Sequence, residues 1–385
     1  MTTVVTVPGA SGTFIPNPYS TPANLGIAQQ ISSMLFAENA NNTLLVQDSD
    51  RNPEPVPAGF VGEIAVTVAG GGSVNVPAGY SVTAIENSVT GPVTISGGGS
   101  LFAGNTTITY YGAASPNTVL ITVNNGNDLL SMPDGSTYEI ALGNGNDTVY
   151  ANGSGTVTGG DGANIFYVGS PDGQNEVNSY GNTDTVVAGQ GSVTVTSSGS
   201  DPLVFGGSGQ LVYLGGVPGN PTITGGAGQE TLFAAAGQDL TYTDGSNTTT
   251  GANILAAGAG NETLNAGAAQ YGVQLAAGSG SVDMIGSQGN DVFYGGNGAA
   301  TMTGNGGADA FIFGNTAGHT GGADIITDFN GSDNFVVSGY GADAAQKALN
   351  AATVSAGSTT VTLSDSTTIT FIGVTDPGSI HNQSF

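Results

Sequence analysis

"GSQGNDVFYGGNGAATMTGNGGADAFI", Gly286 to Ile312, divides without remainder into three nine-residue units: GSQGNDVFY, GGNGAATMT and GNGGADAFI. Asp291 and Asp309 hold the sixth position of the outer two, and Ala300 holds it in the middle one. Phe293, Met302 and Phe311 follow that position by two. Strand side chains alternate, so the large residue at position eight points to one side of a short strand, the side that becomes a core. Glycines permit tight turns and positive φ, and the carboxylate at the turn exit can join the turn's carbonyl oxygens. Two nonads make a coil of about 18 residues, and stacked coils make parallel strands.

The unit recurs upstream with slippage. NNGNDLL and GNGNDTV place Asp128 and Asp147 two residues before Leu130 and Val149. GGDGANIFY carries Asn164 in the acidic position, GGAGQETLF and GAGNETLN carry Glu230 and Glu262, and AAAGQDLTY supplies Asp239. Oxygen-rich turns of this kind suit a hard cation, and Ca²⁺ takes about 6–8 oxygen ligands in flexible geometry.

These stretches resemble the RTX (repeats-in-toxin) calcium-binding nonapeptide, G-G-x-G-x-D-x-U-x. The resemblance implies an all-β fold, a parallel β-solenoid of the β-roll or β-helix kind, with several Ca²⁺ ions held between neighbouring turns by carbonyls and position-six carboxylates. Carried over, the ligands are Asp291 and Asp309, then Asp128 and Asp147, and then Glu230, Asp239 and Glu262. Ala300 and Asn164 depart from the pattern. GGADIITDFNGSDNFVVSGYG, from Gly321, resembles the module that closes such arrays, with Asp324, Asp328 and Asp333 framing a strand, and the resemblance adds Asp324 and Asp328 to the expected calcium ligands. The likeness further implies export through a type I secretion apparatus that reads an uncleaved C-terminal segment, with calcium triggering folding outside the cell.

Composition agrees with that class. The 385 residues include 66 glycines and no cysteine, which excludes disulfides and thiolate metal sites. There are 28 acidic residues against Arg51 and Lys347, a formal charge of −26. Such a chain repels itself without cations and cannot bind nucleic acid by neutralising phosphates. No apolar run is long enough for a membrane span. The start, MTTVVTVPGASGTF, lacks the basic and apolar regions of a cleavable signal peptide.

The expected organisation is an N-terminal segment over 1–60, solenoid without clear calcium turns over 61–123, calcium-binding solenoid over 124–315, and a closing module with secretion signal over 316–385. In the first, Thr21 caps a short helix with Pro22 at its first position, Leu25, Ile27, Ile31, Met34 and Leu35 form its stripe, and RNPEPVPAGF is a stiff connector. The helix is expected to cover the open end of the solenoid; docking on another subunit is the alternative. The last module reads as a helix over GADAAQKALNAA and a hairpin about Ser364 and Asp365.

Enzymatic motifs are wanting. His319 and His381 stand far apart outside any H-E-x-x-H, and GGSGQ at 206–210 is not a nucleophile elbow. Two basic residues are too few for a lyase that must meet uronate charge, and no carboxylate pair stands out from the repeat lattice. The expected role is therefore a secreted, non-enzymatic structural protein that self-assembles at the cell surface or in the matrix, as an S-layer, filament or biofilm component, with surface polysaccharide as a possible further partner. A calcium-dependent adhesin, or a solenoid binding glycan or ice, is the alternative. The T-x-T strands TVT, TIT and TMT fall at irregular intervals and are expected not to line one flat face, which weighs against the second reading.

Overall fold

The structure, a computed structural model, describes residues 2–49, 54–245, 252–315 and 321–385. Arg51, His319 and the start of the expected connector lie outside the described residues. The chain folds as a parallel β-solenoid with two compact units, Met1–Gly199 and Ser200–Phe385.

In the first unit, β1 (Thr3–Pro8) and β2 (Phe14–Tyr19) form an antiparallel hairpin, followed by α1 (Pro22–Ala40). Thr21 caps α1, its hydroxyl accepting the Asn24 N–H at 3.2 Å. Coils then begin with β3 (Leu44–Asp48), β4 (Val61–Val66), β5 (Gly72–Val76) and β6 (Tyr80–Ile85). β3 pairs with β4 and β4 with β6, in parallel, so the segment expected as solenoid without calcium turns is coil.

Each coil buries about one large residue per strand, and these stack in single file. In the first unit one such row runs Ile95, Tyr110, Leu130, Val149, Phe166, Val186. In the second, Tyr213, Leu232, Leu255, Leu275, Phe293, Phe311 and Phe335 form one row. Ile223, Tyr242, Leu264, Met284 and Met302 form the row facing it. All are buried, and the Phe293 and Phe311 rings stack at 4.9 Å. Position eight of the nonad is the core, as its strand parity requires.

The helix does not cover the end of the solenoid. Ile27, Ala28, Ile31 and Leu35 of α1 pack on Ala65, Val82, Ala84, Phe102 and Ala141, outward-facing residues of successive coils. Side chains of the N-terminal segment also staple one coil after another: Asn17 donates to the Ile85 carbonyl, the Tyr19 hydroxyl to that of Ala103, and Asn24 to that of Val123. A lateral site buries Ile27, Ile31 and Leu35 of the stripe and half-buries Leu25 and Met34, whereas an end would accept only one coil's width.

Threonines align locally, without lining a whole face. In the second unit Thr222, Thr241 and Thr263 lie side by side on adjacent strands, as do Thr224 and Thr243. Further along the same sheet Thr263 neighbours Asp283, and Asp283 neighbours Thr301. Turns of different length absorb the unequal sequence intervals, so strands irregular in sequence fall into spatial columns about 4.8 Å apart.

The second unit closes with α2 (Ala344–Asn350) and an antiparallel hairpin of Ser358–Thr362 and Thr368–Phe371. Among the described residues no helix is long and apolar enough to cross a membrane.

Candidate calcium-binding turns

Glycine repeats because coils approach too closely for a side chain. A Cβ on Gly145 would sit 1.6 Å from the Gly126 carbonyl oxygen, and one on Gly162 would sit 1.8 Å from that of Gly145. In the second unit Gly278, Gly280, Gly296 and Gly298 each face, within 1.5–2.0 Å of such a Cβ, the carbonyl of a glycine one coil earlier. These four lie outside the positive-φ set, so close approach, not the left-handed conformation, makes them glycine. The result is a ladder of backbone carbonyls at each turn.

Beside that ladder runs a buried row of polar side chains joined coil to coil. In the first unit Asp128 Oδ1 accepts the Ile108 N–H at 2.6 Å, and Asp147 Oδ1 accepts the Asp128 N–H at 2.8 Å. Asn164 Oδ1 then accepts from Asp147, and Asp184 Oδ1 from Asn164. In the second unit Asp291 Oδ1 accepts from Val273 at 2.7 Å, Asp309 Oδ1 from Asp291 at 2.9 Å, and Asp333 Oδ1 from Asp309 at 3.0 Å. Asp291 and Asp309 thus stand one coil apart in one row, and so do Asp128 and Asp147. Each carboxylate first holds the amide of the preceding coil, an arrangement that sequence reasoning, which aimed the carboxylates at turn carbonyls, did not foresee.

The second carboxylate oxygen separates the row into two kinds. Asp128 Oδ2, Asp147 Oδ2 and Asp309 Oδ2 are buried with no hydrogen-bond partner. Asp291 Oδ2 accepts the Ser287 N–H, Asp333 Oδ2 that of Asn330, and Asp184 Oδ2 bonds Ser179 and Gly181. The glutamates behave differently because they are longer. Glu230 Oε1 reaches back to the Gly226 N–H and Glu262 Oε1 to those of Gly258 and Gly260, which leaves Oε2 of each buried and unpaired.

Asp239, expected in the row, stands one residue short of the buried position, which Leu240 fills level with Glu262. It is exposed and accepts the Asn261 N–H at 2.7 Å. Asp324 is buried in the row that contains Ala300, whose N–H it accepts at 3.1 Å. Asp328 is half-buried and accepts the N–H groups of Gly304 and Asn305. Asp184, Asp244 and Asp333 were not among the expected ligands. Asp184 lacks the flanking glycines, but it follows Asn164 by one coil and precedes Val186 by two, which is the only sequence signal it offers.

Burial pushes these acids upward. The Asp128 carboxyl is raised to about 8 by burial and then by the charge of Asp147. Asp147, Glu230 and Asp309 reach about 7, burial being the largest cause in each, and Asp291 and Glu262 move in the same direction. The charges of Asp291, Asp333 and Asp328 add to the rise at Asp309. A buried, unpaired carboxylate oxygen is costly unless a proton or a cation joins it. Among the described residues no three such side chains converge on one point. A cation here would therefore draw on one or two carboxylates and on the carbonyl ladder, an all-oxygen set that fits Ca²⁺.

Stacked parallel coils with glycine–carboxylate turns define a calcium-binding β-roll. Residues 216–240, 246–269 and 275–315 match the RTX calcium-binding nonapeptide repeat (4 copies), so the chain carries RTX repeats there. These repeats bind Ca²⁺, in multiple copies. The Asp128–Asp184 row lies outside the matched residues. The chain matches no curated protein.

Proposed function

We propose that this chain is a secreted structural protein that calcium folds and that then self-assembles at the cell surface or in the extracellular matrix, as a layer, filament or biofilm component. The observation that carries assembly is the first coil. Among the described residues β3 pairs only with β4, and β5 only with the strand Val93–Gly97, so both present an unpaired edge. Open strand edges are templates for another chain, and a solenoid that is nearly all coil has its ends as natural contacts. Type I export to the exterior, where Ca²⁺ is plentiful, accords with an RTX repeat that needs the ion to offset buried carboxylates. Asp128, Asp147, Glu230, Glu262 and Asp309 are the ligands we propose first, because each carries an unpaired buried oxygen; Asp291 and Asp324 support them from the same rows. Sedimentation and electron microscopy across a calcium series test the proposal. Calcium-dependent oligomers are expected, and a chain that folds with calcium yet stays monomeric at every concentration would reject assembly while leaving calcium binding intact.

The threonine columns favour a second reading, a binding face for glycan or ice. Regularly spaced hydroxyls and methyls on one sheet can match an extended ligand. Retention on insoluble polysaccharide or on growing ice, abolished by Thr241→Lys, would support it over assembly.

A further inference from the structure

Glu63 is the most isolated acid in the first unit. It is fully buried on β4, and neither carboxylate oxygen has a hydrogen-bond partner. It lies between Val46 on β3 and Val82 on β6, in an outward-facing row that continues to Ser100. Val82 belongs to the cluster on which α1 packs, the half-buried Val46 packs against it, and Ala65, two residues on along β4, is buried in it. A carboxyl has therefore been placed in an apolar seam between the N-terminal helix and the coils.

Nothing brought to that seam offsets a negative charge. The titratable groups on the elements that pack there are Tyr19 on β2, Glu38 on α1, Asp48 on β3, Tyr80 on β6, and Asp134, Tyr138 and Glu139 in the strand Leu129–Ala141, and none of these elements carries a cationic residue. Nor does a hydroxyl bond to it: Ser32 donates to the Thr6 carbonyl, and Ser100, in the same row, makes no hydrogen bond to either Glu63 oxygen. We propose that Glu63 is a proton-operated latch, holding α1 and its hairpin on the coils when protonated and releasing them when ionised. Release bares the apolar row Ala65, Ala84 and Phe102, with Val82 beside it, together with the stripe of α1, a sticky surface on a chain of net charge −26.

The direction follows from linkage. Burial raises the Glu63 carboxyl to about 8, against about 4.3 for a free glutamate. Below the lower value both docked and undocked forms are protonated and docking is strongest. Between the two, the undocked form sheds its proton first, so docking weakens by up to about tenfold per pH unit. Above about 8 the loss is complete.

Amide hydrogen exchange of the full-length protein in saturating calcium at pH 5 and pH 8 tests this, with protection factors correcting for intrinsic exchange. The α1 amides should lose at least about tenfold protection between the two pH values, while coils of the second unit, over 253–312, keep theirs. Glu63→Gln should hold α1 protection within about twofold, and Glu63→Met, similar in shape without polar atoms, guards against a misplaced amide. A wild type with flat α1 protection overturns the latch. So do variants as pH-dependent as the wild type, or control coils that open in parallel with α1.

Discussion

Asp309 does two jobs at one position, and substitutions can separate them. Its Oδ1 holds the buried Asp291 N–H, and its Oδ2 stands unpaired. Asp309→Ala orphans that amide, at about 1–3 kcal/mol, and removes an anionic oxygen besides. Asp309→Asn can keep the amide's acceptor, as Asn164 does for Asp147, and loses only charge. Circular dichroism during calcium titration should show near-normal folding of the Asn variant at several-fold higher Ca²⁺, a larger deficit for Ala, and almost no effect of Asp239→Ala. Proton and calcium should also compete for the row. Asp128, Asp147, Glu230 and Asp309 have folded values near 7 to 8, above the roughly 4 of a free carboxyl. Their contribution to the calcium-free fold is thus present below about pH 4 and lost as pH rises to about 8. Melting in calcium-depleted buffer should fall across that interval, and added Ca²⁺ should flatten or reverse the slope.

At the scale of a turn and its strand, glycine is the more demanding residue. Gly298→Ala would drive a methyl to 1.8 Å from the Gly280 carbonyl, so two coils must part or twist. Overpacking of this kind costs about 1–3 kcal/mol, occasionally more. Gly314 ends a strand of the same unit with no atom within 4 Å of its would-be Cβ, and Gly314→Ala should stay within about 0.5 kcal/mol. Urea unfolding in calcium distinguishes the two. The strand beside each turn is held more simply, by one apolar residue stacked on its counterpart a coil away.

For the whole molecule, charge and stacking set the behaviour together. With a net charge of −26 and a buried acid at turn after turn, the calcium-free chain at neutral pH should be expanded, and millimolar Ca²⁺ should induce its β-structure, because binding to the folded state stabilises it by mass action. A β-sheet spectrum and melting point unchanged by chelation at neutral pH would contradict this. Since each coil touches only its neighbours, damage at Asp309 should spread toward the hairpin and α2 of the closing module before it reaches distant coils. Limited proteolysis of Asp309→Ala should therefore cut first within about 286–385.

The repeat of the coil, the buried place of Phe293, Met302 and Phe311, the helix after Thr21 and the closing hairpin were all legible in the sequence. Each depends on residues within one or two turns of chain, where alternation, capping and glycine spacing act directly. The pairing of Asp291 with Asp309 was legible too, because eighteen residues return the chain to one side. What lies between coils was not. Neighbours in the polar rows are 17 to 24 residues apart, and turns of unequal length decide who meets whom. So only the tertiary structure aligned the threonines into columns, moved Asp239 out of the row in favour of Leu240, and turned each row aspartate onto an amide one coil back. It alone laid α1 along the coils and shut Glu63 beneath it, because that seam joins segments whose sequence spacing carries no periodic signal.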